Sequence, residues 1–179
     1  MKGIVFTEFL DMVEKKFGYD IVDKIIEESN LSSGGAYTAI GTYDYSEIVQ
    51  LIANLSKETN IEIPILLKSF GNYMFSTFLK GYPTFFNSYT HAFNFLESID
   101  KYIHVEVLKL YPDAALPNFE TVLGDNEMKI IYRSERKMGD FAEGLIESAL
   151  KHFGHKYILD INPINEDGSE ILFYIKLLG

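Results

Sequence analysis

Four histidines and two arginines are the residues of this 179-residue chain whose chemistry is most restricted by their surroundings. His91 stands at the start of a helical pattern, where it reads as a surface or capping residue. His152 and His155 form H-x-x-H across Gly154 at the end of another helix. Two imidazoles without a third ligand at a useful spacing make a poor metal site, and a solvated helix end is the plainer reading. His104 differs. It lies inside a long apolar helical pattern, flanked by Ile103 and Val105, on the side of Phe93, Val107, Leu108 and Tyr111. A hydrogen-bonded core histidine is the commoner explanation of such a position. A helical histidine beside an apolar stripe is also what haem iron requires as an axial ligand, with the second ring nitrogen left for an outer partner.

Both arginines fall in Tyr132-Arg133-Ser134-Glu135-Arg136. In an extended chain Tyr132, Ser134 and Arg136 share one face, about 7 Å from one to the next. A phenol, a hydroxyl and a guanidinium fork in a row are donors suited to a ligand with two carboxylates. A solvent-facing strand is the alternative. The scarcity of arginine argues for the ligand.

The elements that must position these groups follow from periodicity. Helices are predicted over 3–17, about 20–29, 45–59 with Asp44 or Ser46 as cap, 64–80 opened by Pro64, a short one after Pro83, and 91–111 before Pro112. The period then changes. Residues 119–123 and 128–134 read as a hairpin around Gly124-Asp125-Asn126, 137–153 as a helix, and 157–161 and 170–177 as two more strands. Helices first, then ββ-α-ββ, give an α+β fold, with a helical N-terminal lobe over 1–65 and a mixed lobe with a four-stranded antiparallel sheet over 66–179.

Composition narrows the function. The net charge of −10 disfavours nucleic acid as a partner. With no cysteine there are no disulfides, thiolate ligands or iron–sulfur clusters. Fourteen Phe and twelve Tyr supply enough ring area to line a pocket for a large flat ligand. The N-terminal apolar run is broken by Glu8, Asp11 and Glu14 too early for a signal peptide, and nothing is long enough to insert in a membrane; a cytoplasmic location is expected. No nucleophile–base pair or phosphate loop marks an enzyme.

Taken together, His104, Leu116-Pro117 thirteen residues after it, Tyr132-x-Ser134-x-Arg136-Lys137-Met138, the Met1-Lys2-Gly3 start and Phe17-Gly18 resemble the H-NOX family, the haem nitric oxide/oxygen-binding domains that include the haem sensor domain of soluble guanylate cyclase. The likeness runs along essentially the whole chain. It implies haem b between the two lobes, with His104 as proximal iron ligand. Tyr132, Ser134 and Arg136 would hold the propionates, and Pro117 would press on the porphyrin. It also implies a distal pocket of Val5, Phe9, Met74, Phe78, Phe141 and Leu145.

Oxygen-binding relatives carry a distal tyrosine where this chain has Phe141. Iron-bound O2 gains partial negative charge, so losing that donor removes about 1.5–3 kcal/mol, or one to two decades of affinity. The resemblance therefore implies selective NO binding, with CO also bound in vitro and O2 excluded, unless Tyr73 beside Met74 turns inward. It implies further that NO frees His104 from iron and moves the lobes. The effector would be a separate histidine kinase or cyclic-di-GMP enzyme, because no output domain follows. An O2 sensor or carrier, and a haem-free module for an apolar ligand, are the competing readings.

Overall fold

The structure, a computed structural model, describes residues 1–178, with the side chain of Leu110 excepted. Gly179, the last residue of the expected mixed lobe, lies outside the described residues.

Helix α1 (Gly3–Phe17) buries Phe6, Phe9, Met12 and Val13 and stops at Gly18, whose φ of 92° a side-chain-bearing residue rarely adopts. It is followed by α2 (Tyr19–Glu27) and then by an irregular segment to Tyr43. Asp44 begins α3 (Tyr45–Thr59) by accepting the Ser46 amide at 2.7 Å, and Asn60 ends it in the left-handed conformation. Pro64 occupies the first turn of α4 (Ile63–Gly81), and Pro83 opens the short α5 (Pro83–Asn87).

The predicted helix over 91–111 is interrupted. It runs as α6 (Ala92–Ser98), a π-helical turn (Ile99–Ile103) and α7 (His104–Leu110). A π turn accommodates one residue more than an α-helical turn would, and such turns are concentrated at functional positions. This one ends immediately before His104.

The hairpin is β1 (Asn118–Leu123) and β2 (Glu127–Arg133); α8 (Gly139–His152) and the pair β3 (Lys156–Pro163) and β4 (Glu170–Leu178) complete the chain. All pairings are antiparallel, in the order β1-β2-β4-β3. Met128, Ile130, Tyr132, Phe173 and Ile175 fill the inner sheet face, in one buried cluster with Phe93 and Leu96 of α6 and Ile146 and Leu150 of α8. A second cluster joins α1, α2, α3 and α4, and Phe78 and Leu145 touch both. Helices α4 and α8 cross so closely that a Cβ on Gly71 would collide with the Phe141 carbonyl, and one on Gly144 with that of Lys68.

Candidate functional site

His104 opens α7, its side chain 15% exposed. Its Nδ1 lies 3.1 Å from Asp100 Oδ1, one turn earlier. Asp100 is itself tied to the sheet, accepting from Asn118 Nδ2 at 3.3 Å and the Phe119 amide at 3.4 Å. Burial lowers the His104 pKa, opposed by Asp100, and leaves a neutral imidazole. With Nδ1–H directed at the carboxylate, the Nε2 lone pair is the one free to ligate, an arrangement common to metal-binding histidines. Sequence reading missed Asp100. The available signal was a carboxylate four residues before a helical histidine.

Asp100 thereby ties the start of β1, which Pro117 immediately precedes, to the turn before His104. From His104 the ring of Phe119 follows at 5.7 Å and that of Tyr132 at a further 5.6 Å. The aromatic row thus connects the histidine to the Y-x-S-x-R segment.

That segment is not the extended run its alternation predicts. Strand β2 ends at Arg133, and the Lys137 amide bonds back to the Ser134 carbonyl at 3.2 Å, closing a turn. The three donors nevertheless meet. The Tyr132 hydroxyl accepts the Met138 amide at 3.1 Å and lies beside Ser134 and Arg136, while Ser134 Oγ accepts the Arg136 amide at 3.2 Å. The turn replaces alternation because Lys137 adopts φ 54°, turning the chain into α8. Tyr45 of α3 donates to the Arg136 carbonyl at 2.5 Å, a second contact the sequence did not suggest.

The Arg136 guanidinium is about half buried and has no ion-pair partner among the described residues. Burial lowers its pKa, with only the phenols of Tyr132 and Tyr45 opposing. It borders a cavity of about 80 Å³ together with Val5 and Leu116. A desolvated guanidinium beside two hydroxyls fits a carboxylate, and a neutral buried imidazole fits iron. The residues present therefore fit a haem.

Phe9 and Met74 are buried in the N-terminal cluster, with Val5, Phe78, Phe141 and Leu145 packed against it. All six residues expected to line a distal pocket thus lie in or against this cluster, and none carries a hydrogen-bond donor in its side chain. Phe141 packs on Phe70 with ring centroids 5.0 Å apart. Tyr73 is turned elsewhere: its hydroxyl bonds to Asp11 and receives Lys15 Nζ at 2.8 Å, on the partly exposed side of α1.

The other histidines separate. His91 caps α6, with Nδ1 accepting the Phe93 amide at 3.2 Å. Its ring lies 4.4 Å from that of His155, whose Nε2 accepts the Ala92 amide at 3.5 Å. His152 packs on Phe75, Phe86 and Phe153. Among the described residues no three His, Cys, Asp or Glu side chains are grouped to hold a metal ion, and no helix is long and apolar enough to cross a membrane.

Residues 2–160 match the family described as haem-NO-binding. Similar solved structures include an Fe(II) unliganded H-NOX protein from K. algicida, 44% identical, with 100% of this chain and 97% of that one covered and a TM-score of 0.96. An Fe(II)CO H-NOX from Shewanella woodyi, bound to IWP-051, is 36% identical over 98% of this chain and 94% of that one, with a TM-score of 0.83. The H-NOX protein from S. oneidensis in its Fe(II)NO state is 25% identical over the full length of both chains, with a TM-score of 0.90. A match over residues 2–160 and 44% identity along the whole chain show that this chain belongs to the haem-NO-binding, or H-NOX, family.

Proposed function

We propose that this protein is a sensor selective for NO, binding haem b and signalling to a separate protein rather than catalysing a reaction. When bound, the haem would supply a ferrous iron able to take a diatomic gas. His104 would be its protein ligand. Tyr132, Ser134 and Arg136 receive the propionates, and Pro117, held through its neighbours by Asp100, bears on the porphyrin. The observation that carries this reading is His104: neutral, mostly buried, and oriented by a carboxylate through one nitrogen so that the other is free. The relatives solved in Fe(II), Fe(II)NO and Fe(II)CO states support the cofactor and the gases.

Selectivity rests on the distal residues. Val5, Phe9, Met74, Phe78, Phe141 and Leu145 offer no donor to a partly charged oxygen ligand, whereas NO carries little such charge. Tyr73 is engaged by Asp11 and Lys15, which disfavours an O2 reading. In this account NO binding would free His104 from the iron, and its helix would then shift the helical lobe, residues 1–65, against residues 66–179. The moved surface is what a histidine kinase or a cyclic-di-GMP enzyme would read.

Absorption spectra of the reduced protein without gas, in air and with NO test the proposal. The expected protein has a haem band that air leaves unchanged and NO shifts. A stable oxygenated spectrum would overturn the selectivity, and absence of any haem band after reconstitution would overturn the reading as a whole. With NO, His104→Gly supplied with imidazole should keep haem but lose the movement of the lobes.

A further inference from the structure

Lys2 precedes α1 by one residue, and its ammonium is surrounded by groups from distant parts of the chain. Nζ lies 2.9 Å from Asp113 Oδ1 and 3.1 Å from Oδ2, donates to Thr42 Oγ1 at 2.7 Å, and sits 4.9 Å from the centre of the Tyr111 ring. Thr42 closes the triangle by donating to Asp113 Oδ2 at 3.0 Å. The Lys2 side chain is only 16% exposed. Of the described ion pairs this is the one that joins residues 1–65 to residues 66–179.

The two ends of the pair differ in freedom. The Lys2 backbone stays with its own lobe, because its neighbours are tied to the 38–43 segment. The Gly3 amide bonds to the Gly41 carbonyl at 2.8 Å, Ile4 to Ala39 at 2.9 Å and Tyr43 to Met1 at 2.9 Å, and the terminal amine donates to the Tyr43 carbonyl at 2.6 Å. Gly3 is seated so tightly that a Cβ would strike the Thr38 carbonyl. Asp113, by contrast, stands in the irregular connector between α7 and β1, three residues past the end of the helix that begins with His104 and four before Pro117. Lys2, Asp113, Val5, Leu116 and Arg136 border the same cavity of about 80 Å³.

We infer that Lys2 and Asp113 form an electrostatic clasp which positions the Pro117 connector against the start of α1 and so sets how readily the two lobes move. The inference rests on the sensor reading above, since it assigns the clasp to the lobe movement proposed there. A displacement of α7 and its connector stretches the ion pair, whose other end stays with the 38–43 segment. The intact pair therefore favours the resting arrangement, and its loss favours the moved one. Lys2 and Thr42 hold the Asp113 carboxyl below its usual range, so the clasp is fully charged at neutral pH.

The chain has no cysteine, so spin labels can be placed uniquely at Glu28→Cys and Glu166→Cys, both exposed. Pulsed distance measurements on reduced holoprotein, with and without NO, give the populations of the two arrangements. Lys2→Met and Asp113→Asn should each raise the moved fraction before NO is added by about five-fold, the scale of a partly buried pair. The charge-swapped double variant Lys2→Asp/Asp113→Lys should return most of it. Raising salt from low to high should shift the wild type and leave Asp113→Asn unchanged. If NO moves the labels in the wild type and the single variants match it in both states, the clasp is overturned and the sensor reading stands. If NO leaves the wild-type distance unchanged, the lobe movement itself is wrong and the clasp falls with it.

Discussion

At the scale of single residues, two side chains separate the roles of the proposed haem site. Phe141 packs against the apolar cluster proposed as the distal wall, with its ring on Phe70. Phe141→Tyr adds one hydroxyl to a wall that otherwise has none. An O–H directed at a partly charged oxygen is worth about 1.5–3 kcal/mol, so O2 affinity should rise by one to two decades while NO affinity changes little. Gas titrations of reduced wild type and variant measure both. Asp100 acts through His104. Asp100→Asn keeps an acceptor near His104 Nδ1 but removes the charge, so the imidazole becomes a weaker ligand; losses of such outer partners typically cost about ten- to a hundred-fold in metal affinity. The haem reduction potential should rise and haem should transfer faster to an acceptor protein. An unchanged potential would mean that Asp100 only ties α7 to β1. These residues were not equally legible. Tyr132, Ser134 and Arg136 stood out because arginine is so rare here, whereas Asp100 is one carboxylate among many, and only the folded turn shows what it faces.

At the scale of elements, helix and strand periods located nearly every segment, because each buries one face continuously. The predictions failed where local geometry departs from a regular period. The helix over 91–111 has an unbroken apolar stripe, and a single π turn shifts that stripe without leaving a mark in residue types. The run 128–134 alternates, yet it ends at Arg133 because the turn at 134–137 satisfies the backbone locally. The contact of α4 with α8 is another feature invisible to periodicity. Gly71 and Gly144 allow the two backbones to approach, and Lys68 then reaches both Glu143 at 2.5 Å and Glu147 at 3.0 Å. Gly144→Ala must push the helices apart. The cost of such overpacking is about 1–3 kcal/mol, or a fall in melting temperature of about 2–4 °C per kcal/mol at this chain length. Calorimetry of holoprotein checks it, and an unchanged melting temperature would show that the crossing relaxes freely.

At the scale of the whole molecule, acid should weaken the fold in two separate steps. His155 receives the Ala92 amide and lies against His91; burial and then the His91 charge lower its pKa from the ordinary value of 6.5. A histidine depressed in the folded state contributes stability that is present above its unfolded pKa and is lost as pH falls through the folded value. The first loss therefore begins below about pH 6.5. It acts on the N-terminal end of the helical stretch that leads to His104, where a protonated ring is also repelled by the helix dipole. Glu47 supplies the second step. Burial raises its pKa, but bonds from Ser32, Ser33 and Tyr37 more than compensate, and the net shift is downward. Its contribution is present above the ordinary carboxylate range and disappears as pH falls through the lower folded value. That carboxylate holds the 32–37 segment on α3, next to the loop on which the N-terminus is anchored. Thermal unfolding of haem-free protein from pH 8 to pH 3 should show both losses. His155→Gln should reduce the first, with His104, which burial also depresses, supplying the rest, and leave the second; Glu47→Gln should reduce the second and leave the first. A single smooth decline unaffected by either substitution would place the acid sensitivity elsewhere, in the repulsion of a chain whose charge inverts on acidification.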